Sequence, residues 1–160
     1  MNRQDHVQKA LNRAYFYLKF RPRTRKEVVS YLSKKSEKFY HWSPEVIEEA
    51  LSLLEEEGLI NDKKFVESFV VTRNIVKPKS EFALKQELLK AGVEKDIIDE
   101  FFTENPSNQE DLAKQALHNR WFHFNHFDKK TRFEKAAQFL MRRGFSFSIA
   151  KKVIEEMEEG

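Results

Sequence analysis

Apolar residues recur along this 160-residue chain at steps of three and four, the spacing that puts side chains on one face of an α-helix. Ala10, Ala14, Tyr15 and Leu18 form one stripe, Val28, Tyr31 and Leu32 a second, and Ile47, Ala50, Leu51 and Leu54 a third. No stretch holds the two-residue alternation of a half-buried strand. The boundaries carry helix chemistry as well. Thr24-Arg25-Lys26-Glu27 fits a capping box, in which hydroxyl and carboxylate satisfy free amides at a helix start. Ser43-Pro44-Glu45 places an N-cap before a proline whose missing N–H costs nothing in the first turn. Gly58, Gly92 and Gly144 each follow a stripe and suit the left-handed closing conformation. The pattern predicts an all-α protein.

The stripes repeat. Aligning Gly92 with Gly144 sets Leu88 on Leu140, Ile97 on Ile149 and Phe101 on Val153. Ser36 in place of the glycine brings Leu32, Ile47 and Leu51 into the same order, once a short insertion at Phe39 to Trp42 is allowed. The offsets from Ser36 to Gly92 and from Gly92 to Gly144 are 56 and 52 residues, room for three helices per unit and a period typical of stacked helical repeats. The chain therefore divides into three-helix repeats at 1–60, 61–106 and 107–160, read as one domain overall.

Charge follows the same period. The net charge is only +3, from 29 Lys and Arg against 26 Asp and Glu. Resolved along the chain, residues 1–35 carry 10 basic and 2 acidic side chains, and residues 36–60 carry 1 and 7. Residues 61–92 carry 7 and 4, and residues 93–113 carry 1 and 7. Residues 114–152 carry 10 and 2, and residues 153–160 carry 0 and 4. Each repeat thus has two basic helices and an acidic third. Interspersed signs would serve solubility, whereas segregated signs build a directional field. Glu55, Glu56 and Glu57 crowd a helix end where the macrodipole disfavours them, so they require basic neighbours or a partner. The expectation is a basic surface with an acidic margin, densest at Arg21, Arg23, Arg25 and Lys26, at Arg73, Lys77 and Lys79, and at Arg142 and Arg143.

Candidate chemistry is sparse. The chain has no cysteine, which removes thiolate ligands, disulfides and cysteine nucleophiles. His118, His123 and His126 lack an i, i+4 pair or a nearby carboxylate, so no metal is expected. The aromatic run Trp121, Phe122, Phe124 and Phe127 reads as packing between helices. Asp62 reads as an N-cap, and Glu48 and Glu49 lie in an acidic helix without an apolar pocket. Phosphate loops, GxSxG and HExxH are missing. No catalytic residue and no cofactor is expected. Zinc-finger spacing and RNA-binding sheet motifs are missing too, so a sequence-specific reader is not indicated. No apolar run reaches a membrane span, and the start Met-Asn-Arg-Gln-Asp-His lacks a signal-peptide core. A cytoplasmic protein is expected.

Three segments resemble the RecX family. Arg21-Pro22-Arg23-Thr24-Arg25-Lys26-Glu27-Val28 is similar to its Arg-Pro-x-Ser-x-x-Glu-Leu segment. Gly58-Leu59-Ile60-Asn61-Asp62-Lys63-Lys64-Phe65-Val66 is similar to Gly-Tyr-Leu-Asp-Asp-x-x-Phe-Ala, and Leu140-Met141-Arg142-Arg143-Gly144-Phe145-Ser146 to Leu-x-Arg-Arg-Gly-Phe-Ser. The segments keep the family's order. Thr24, Asn61 and Val66 depart mildly, while the 38–42 insertion and the aromatic stretch are less typical. The resemblance implies three tandem three-helix repeats stacked into an elongated, curved, right-handed-type array. It also implies a monomeric regulator, not an enzyme, that binds the RecA recombinase filament and restrains its ATPase and strand exchange, with DNA as a further contact. On that reading Arg21, Arg23, Arg25, Lys26, Arg73, Lys77, Lys79, Arg142 and Arg143 meet the partner or DNA. Leu18, Val28, Leu32, Phe65, Phe69, Leu88, Leu140 and Phe145 hold the repeats together. The alternative is a non-specific DNA-binding helical protein that needs no recombinase, marked by a steep salt dependence.

Overall fold

The computed structural model describes residues 1–160, and every regular element is helical. Nine α-helices run in order: α1 (Arg3–Leu18), α2 (Arg25–Lys35), α3 (Pro44–Glu56), α4 (Asp62–Val76), α5 (Glu81–Ala91), α6 (Lys95–Glu104), α7 (Gln109–His118), α8 (Lys129–Arg142) and α9 (Phe147–Glu159). A five-residue π-helical turn spans Ser36–Tyr40 and a 3₁₀ turn spans Trp121–His123. No helix is long and apolar enough to cross a membrane.

Helices start where the cap chemistry places them. Thr24 and Glu27 form the expected capping box, each side chain accepting from the other's backbone amide. Ser43 accepts from the Val46 amide with Pro44 in the first turn of α3. Asp62 is a correction. Asn61 caps α4 by accepting from the Lys64 amide, and Asp62 is instead the first helical residue, with its carboxylate turned to another helix. The 39–42 insertion has a physical form as well. The π turn admits an extra residue, His41 follows it in the left-handed region at φ 52°, and Trp42 swings into the core. There it stacks on Tyr40 with ring centroids 4.4 Å apart, and its carbonyl accepts from the Ser36 hydroxyl at 3.1 Å.

The chain forms two compact units, Met1–Glu67 with Leu88–Ile98, and Ser68–Glu87 with Asp99–Gly160. In the first, Ala10 and Ala14 of α1, Val28 and Leu32 of α2, and Ala50, Leu51 and Leu54 of α3 bury the apolar stripes read from the sequence. Alanines at the α1 contact let the α1 and α3 backbones approach closely. In the second, Ala113, Ala116 and Leu117 of α7 meet Ala136 and Leu140 of α8 and Ala150 and Val153 of α9.

Each unit also contains one joint between successive three-helix sets, built to one plan. In the first, the Thr24 hydroxyl donates to the Ala91 carbonyl at 2.7 Å, and the Arg25 amide donates to Asp62 Oδ1 at 3.0 Å. In the second, the Ser80 amide donates to the Arg143 carbonyl at 3.0 Å, and the Glu81 amide donates to Gln109 Oε1 at 3.1 Å. Thr24 and Ser80 are both buried and precede a second helix. Asp62 and Gln109 both open the first helix of the next set. The accepting carbonyls precede Gly92 and Gly144, at φ 97° and 91°. A Cβ on Gly92 would lie 2.6 Å from Lys26 Cβ, and one on Gly144 would run into Ser80 Oγ and lie 2.8 Å from Ala83 Cβ. The glycines therefore close their helices and also let the next helix start approach.

Two outcomes follow for denaturant unfolding. Gly58, at φ 76°, has nothing within 4 Å of a built Cβ, so Gly58→Ala reads the backbone cost alone, about 1 kcal/mol. Gly144→Ala adds overlap at the joint and should lose at least about 1 kcal/mol more; equal losses would refute the packing role. Burial, first of all, raises the Asp62 pKa, and the charges of Glu55 and Glu94 add to it, against the Arg25 amide and charge. A raised carboxyl pKa means stability present below the ordinary Asp range and lost as pH rises through the folded value. Asp62→Asn keeps the acceptor without the charge, as Gln109 does, so at pH 7 it should match or exceed wild type, the advantage vanishing near pH 3. A marked loss at pH 7 would show that the charge itself is required.

Candidate partner-binding surface

The nine predicted binding cations fall into three environments. Three are tied into ion pairs with carboxylates of neighbouring helices. Arg25 reaches Glu48 at 2.8 Å and Glu55 at 2.7 Å, bridging the basic start of α2 to the acidic α3. Arg73, 3.0 Å from Glu87, and Lys79 share that one carboxylate. Burial works to raise the Glu87 pKa, but hydrogen bonds from Lys79 and Arg73 and their charges outweigh it and hold the group below the usual carboxylate range.

A second set packs as much as it carries charge. Arg23 lies 4.0 Å over the Tyr17 ring, which stacks in turn on Tyr31 at 4.1 Å with the planes 3° apart. Its Nε is buried without a hydrogen bond. Arg143 donates to the Pro78 carbonyl at 3.0 Å and stands 4.7 Å from the Phe139 ring centroid. Burial, then the charge of Arg120, pulls its pKa below the ordinary guanidinium value. Arg143 is thus a tie at the second joint, beside the bond its own carbonyl accepts from Ser80. Arg21 is intermediate: half-exposed, it pairs with Glu27 at 2.5 Å.

The third set is Lys26, Lys77 and Arg142, all exposed and outside any ion pair. Sequence order cannot separate these from their neighbours, because pairing depends on which carboxylate the fold brings alongside. Of the glutamates crowding the end of α3, two have partners on other helices. Glu55 meets Arg25, Glu57 accepts from the Tyr15 hydroxyl at 2.9 Å, and Glu49 meets Arg3 at 2.9 Å. In the second unit Lys114 pairs with Glu156 at 2.8 Å and Lys152 with Glu110 at 2.9 Å. Part of the blockwise charge alternation is therefore matched between helices of one unit.

The aromatic segment divides. Trp121 and Phe124 pack against the second core, and Phe127 is half-buried. Phe122 is 63% exposed, which corrects its placement in the packing: the 3₁₀ turn points it outward. Its ring lies 4.0 Å from that of His123. No group of three His, Asp or Glu side chains gathers in a metal-holding arrangement.

The architecture is that of a helical-repeat protein, with three-helix sets joined through capped second helices and unpaired cations on each unit. Residues 10–54, 61–100 and 108–154 match, in order, the first, second and third three-helix domains of RecX. The chain belongs to the RecX family. It is 32% identical over 160 residues to the regulatory protein RecX of Staphylococcus saprophyticus, covering 99% of this chain and 56% of that protein. With the regulatory protein RecX of Staphylococcus carnosus it shares 27% identity over 158 residues, 99% of this chain and 57% of the relative. The chain spans a little over half the length of the curated relatives it matches. The crystal structure of RecX from Lactobacillus salivarius superposes with a TM-score of 0.77 at 27% identity, over 98% of this chain and 99% of that one. A second RecX crystal structure gives 0.72 at 27% identity, over 96% and 73%. Both Staphylococcus relatives are named regulatory proteins.

The two adjacent arginines, alike in sequence, should separate in stability. Arg143→Ala removes a hydrogen bond and a ring contact and should lower unfolding free energy by about 1–2 kcal/mol. Arg142→Ala should stay within about 0.5 kcal/mol of wild type, as surface substitutions usually do. Similar losses from both would remove the distinction.

Proposed function

We propose that the protein binds the RecA recombinase filament and restrains its ATPase and DNA strand-exchange activities. Family membership across all three repeats supports this reading. The observation that carries it to particular residues is that three of the nine predicted cations stay exposed and outside ion pairs, Lys26 in the first unit and Lys77 and Arg142 in the second. A cation already matched by a carboxylate must give up that partner to engage another, whereas an unmatched one offers its full charge. On this reading the contact residues are Lys26, Lys77 and Arg142, with half-exposed Arg21 in support. Arg25, Arg73, Lys79 and Arg143 act by shaping the helices that present them, and Arg23 by stacking. Binding across neighbouring recombinase subunits would oppose the rearrangement that accompanies nucleotide turnover.

The test is RecA ATPase on single-stranded DNA, titrated with this protein. Turnover should fall to a plateau. Lys77→Glu with Arg142→Glu should move the midpoint at least about tenfold, or 1.4 kcal/mol, with helicity unchanged by circular dichroism. No inhibition at saturation would overturn the reading. Tight binding to nucleic acid with a steep salt slope and no effect on the recombinase would favour the DNA-binding alternative.

A further inference from the structure

Three unmatched lysines of the first unit line a cleft of about 270 Å³. Its walls include Tyr17, Lys26, Ser30, Tyr31, Lys34 and Lys90. Lys26, Ser30 and Lys34 sit four residues apart and so form one ridge of α2, and Lys90 comes from the last turn of α5. None of the three ammonium groups is in an ion pair, although cations elsewhere on the molecule are repeatedly matched by carboxylates. The carboxylate in the wall, Glu27, is already committed to Arg21 and to the Thr24 amide. Three like charges around one concavity raise the local potential for anions, and low-dielectric walls focus it.

The aromatic walls narrow the ligand. Tyr17 is covered by Tyr31 on one side and by Arg23 over its ring, and Lys35 Nζ stands 5.6 Å from the Tyr31 centroid. Stacking faces for a planar base are thus taken. The cleft offers point charges and the Ser30 hydroxyl, donors suited to a multiply charged anion with many acceptor oxygens. We propose that this cleft binds closely spaced phosphates, a chemistry shared by a free polyphosphate chain and by the backbone of a nucleic-acid strand. Such a ligand would tie α2 to the end of α5 beside the Thr24–Ala91 bond, and so fasten the first joint.

The site requires no recombinase, and its test contains none, so its failure leaves the previous reading standing. The full chain is titrated with sodium tripolyphosphate by calorimetry and by thermal unfolding, against sodium chloride of equal ionic strength. Saturable binding and a rise in Tm beyond the salt control are expected. Lys34→Gln with Lys90→Gln, both at exposed positions, should weaken binding at least about tenfold with an unchanged ligand-free melt. Lys129→Gln with Lys130→Gln, in the second unit, should leave it intact. A short single-stranded oligonucleotide that displaces tripolyphosphate identifies a strand as a source; failure to displace it identifies the free chain. No saturable binding, equal binding by the Lys34/Lys90 variant, or equal binding of a poly-glutamate peptide would overturn the proposal.

Discussion

A buried polar group at the start of a helix has to be hydrogen-bonded, and the two joints of this protein are built on that requirement. Thr24 and Ser80 lie where a second helix begins and where water is excluded. Their partners are the carbonyls that the next second helix leaves open at its end, and those carbonyls are reachable because glycine follows them. A helix start is rich in unpaired N–H and a helix end in unpaired C=O, so setting one against the other satisfies both. Asp62 and Gln109 complete each joint by accepting from one further amide. Neither helix end could be buried this way alone. The two compact units each enclose one joint, which is why their limits cut through α4, α5 and α6 and do not follow the repeat boundaries.

The same complementarity governs the charges. A basic second helix and an acidic third helix within one set place Arg25 against Glu48 and Glu55. The α7–α9 set uses Lys114, Lys152 and Arg132 against Glu156, Glu110 and Glu158. Apart from the part-buried, two-pronged Arg132–Glu158 pair, these pairs are largely exposed and each is worth little in stability. Their larger effect is selective: by neutralising part of a strongly charged surface they separate matched cations from others, Lys26, Lys77 and Arg142 among them, whose field is not spent internally. The Lys26–Ser30–Lys34 ridge with Lys90 gathers three such cations, and its carboxylate neighbour Glu27 is engaged by Arg21.

Much of this architecture was legible in the residues. The stripes of α1, α2 and α3, the Thr24–Glu27 capping box, the proline at the start of α3 and the closing glycines are local signals, set by which side chains share a helix face and which groups satisfy its ends. The threefold order of apolar and charged segments was legible too, because repeats of one helical plan must bury equivalent positions. What local signals could not carry were the distant partners. Asn61 and Asp62 are both good caps on their own, and the choice of Asn61 is decided by the Arg25 amide that claims Asp62. Arg142 and Arg143 are neighbours of one kind, and burial against Phe139 and Pro78 separates them. Phe122 and Phe124 are two residues apart, and the 3₁₀ turn sends one outward and one into the core.

By itself, then, the sequence determined the helices, their ends, their order in three sets and the family to which they belong, since propensity, periodicity and capping act over a few residues. The tertiary structure alone decided which charges are matched, which arginines pack, and where an unmatched basic cleft remains. Many of those outcomes depend on distances between groups tens of positions apart, such as Arg25 with Glu48 at 23 and Thr24 with Ala91 at 67, and Coulomb and hydrogen-bond energies fall off over ångströms of space and not along the chain.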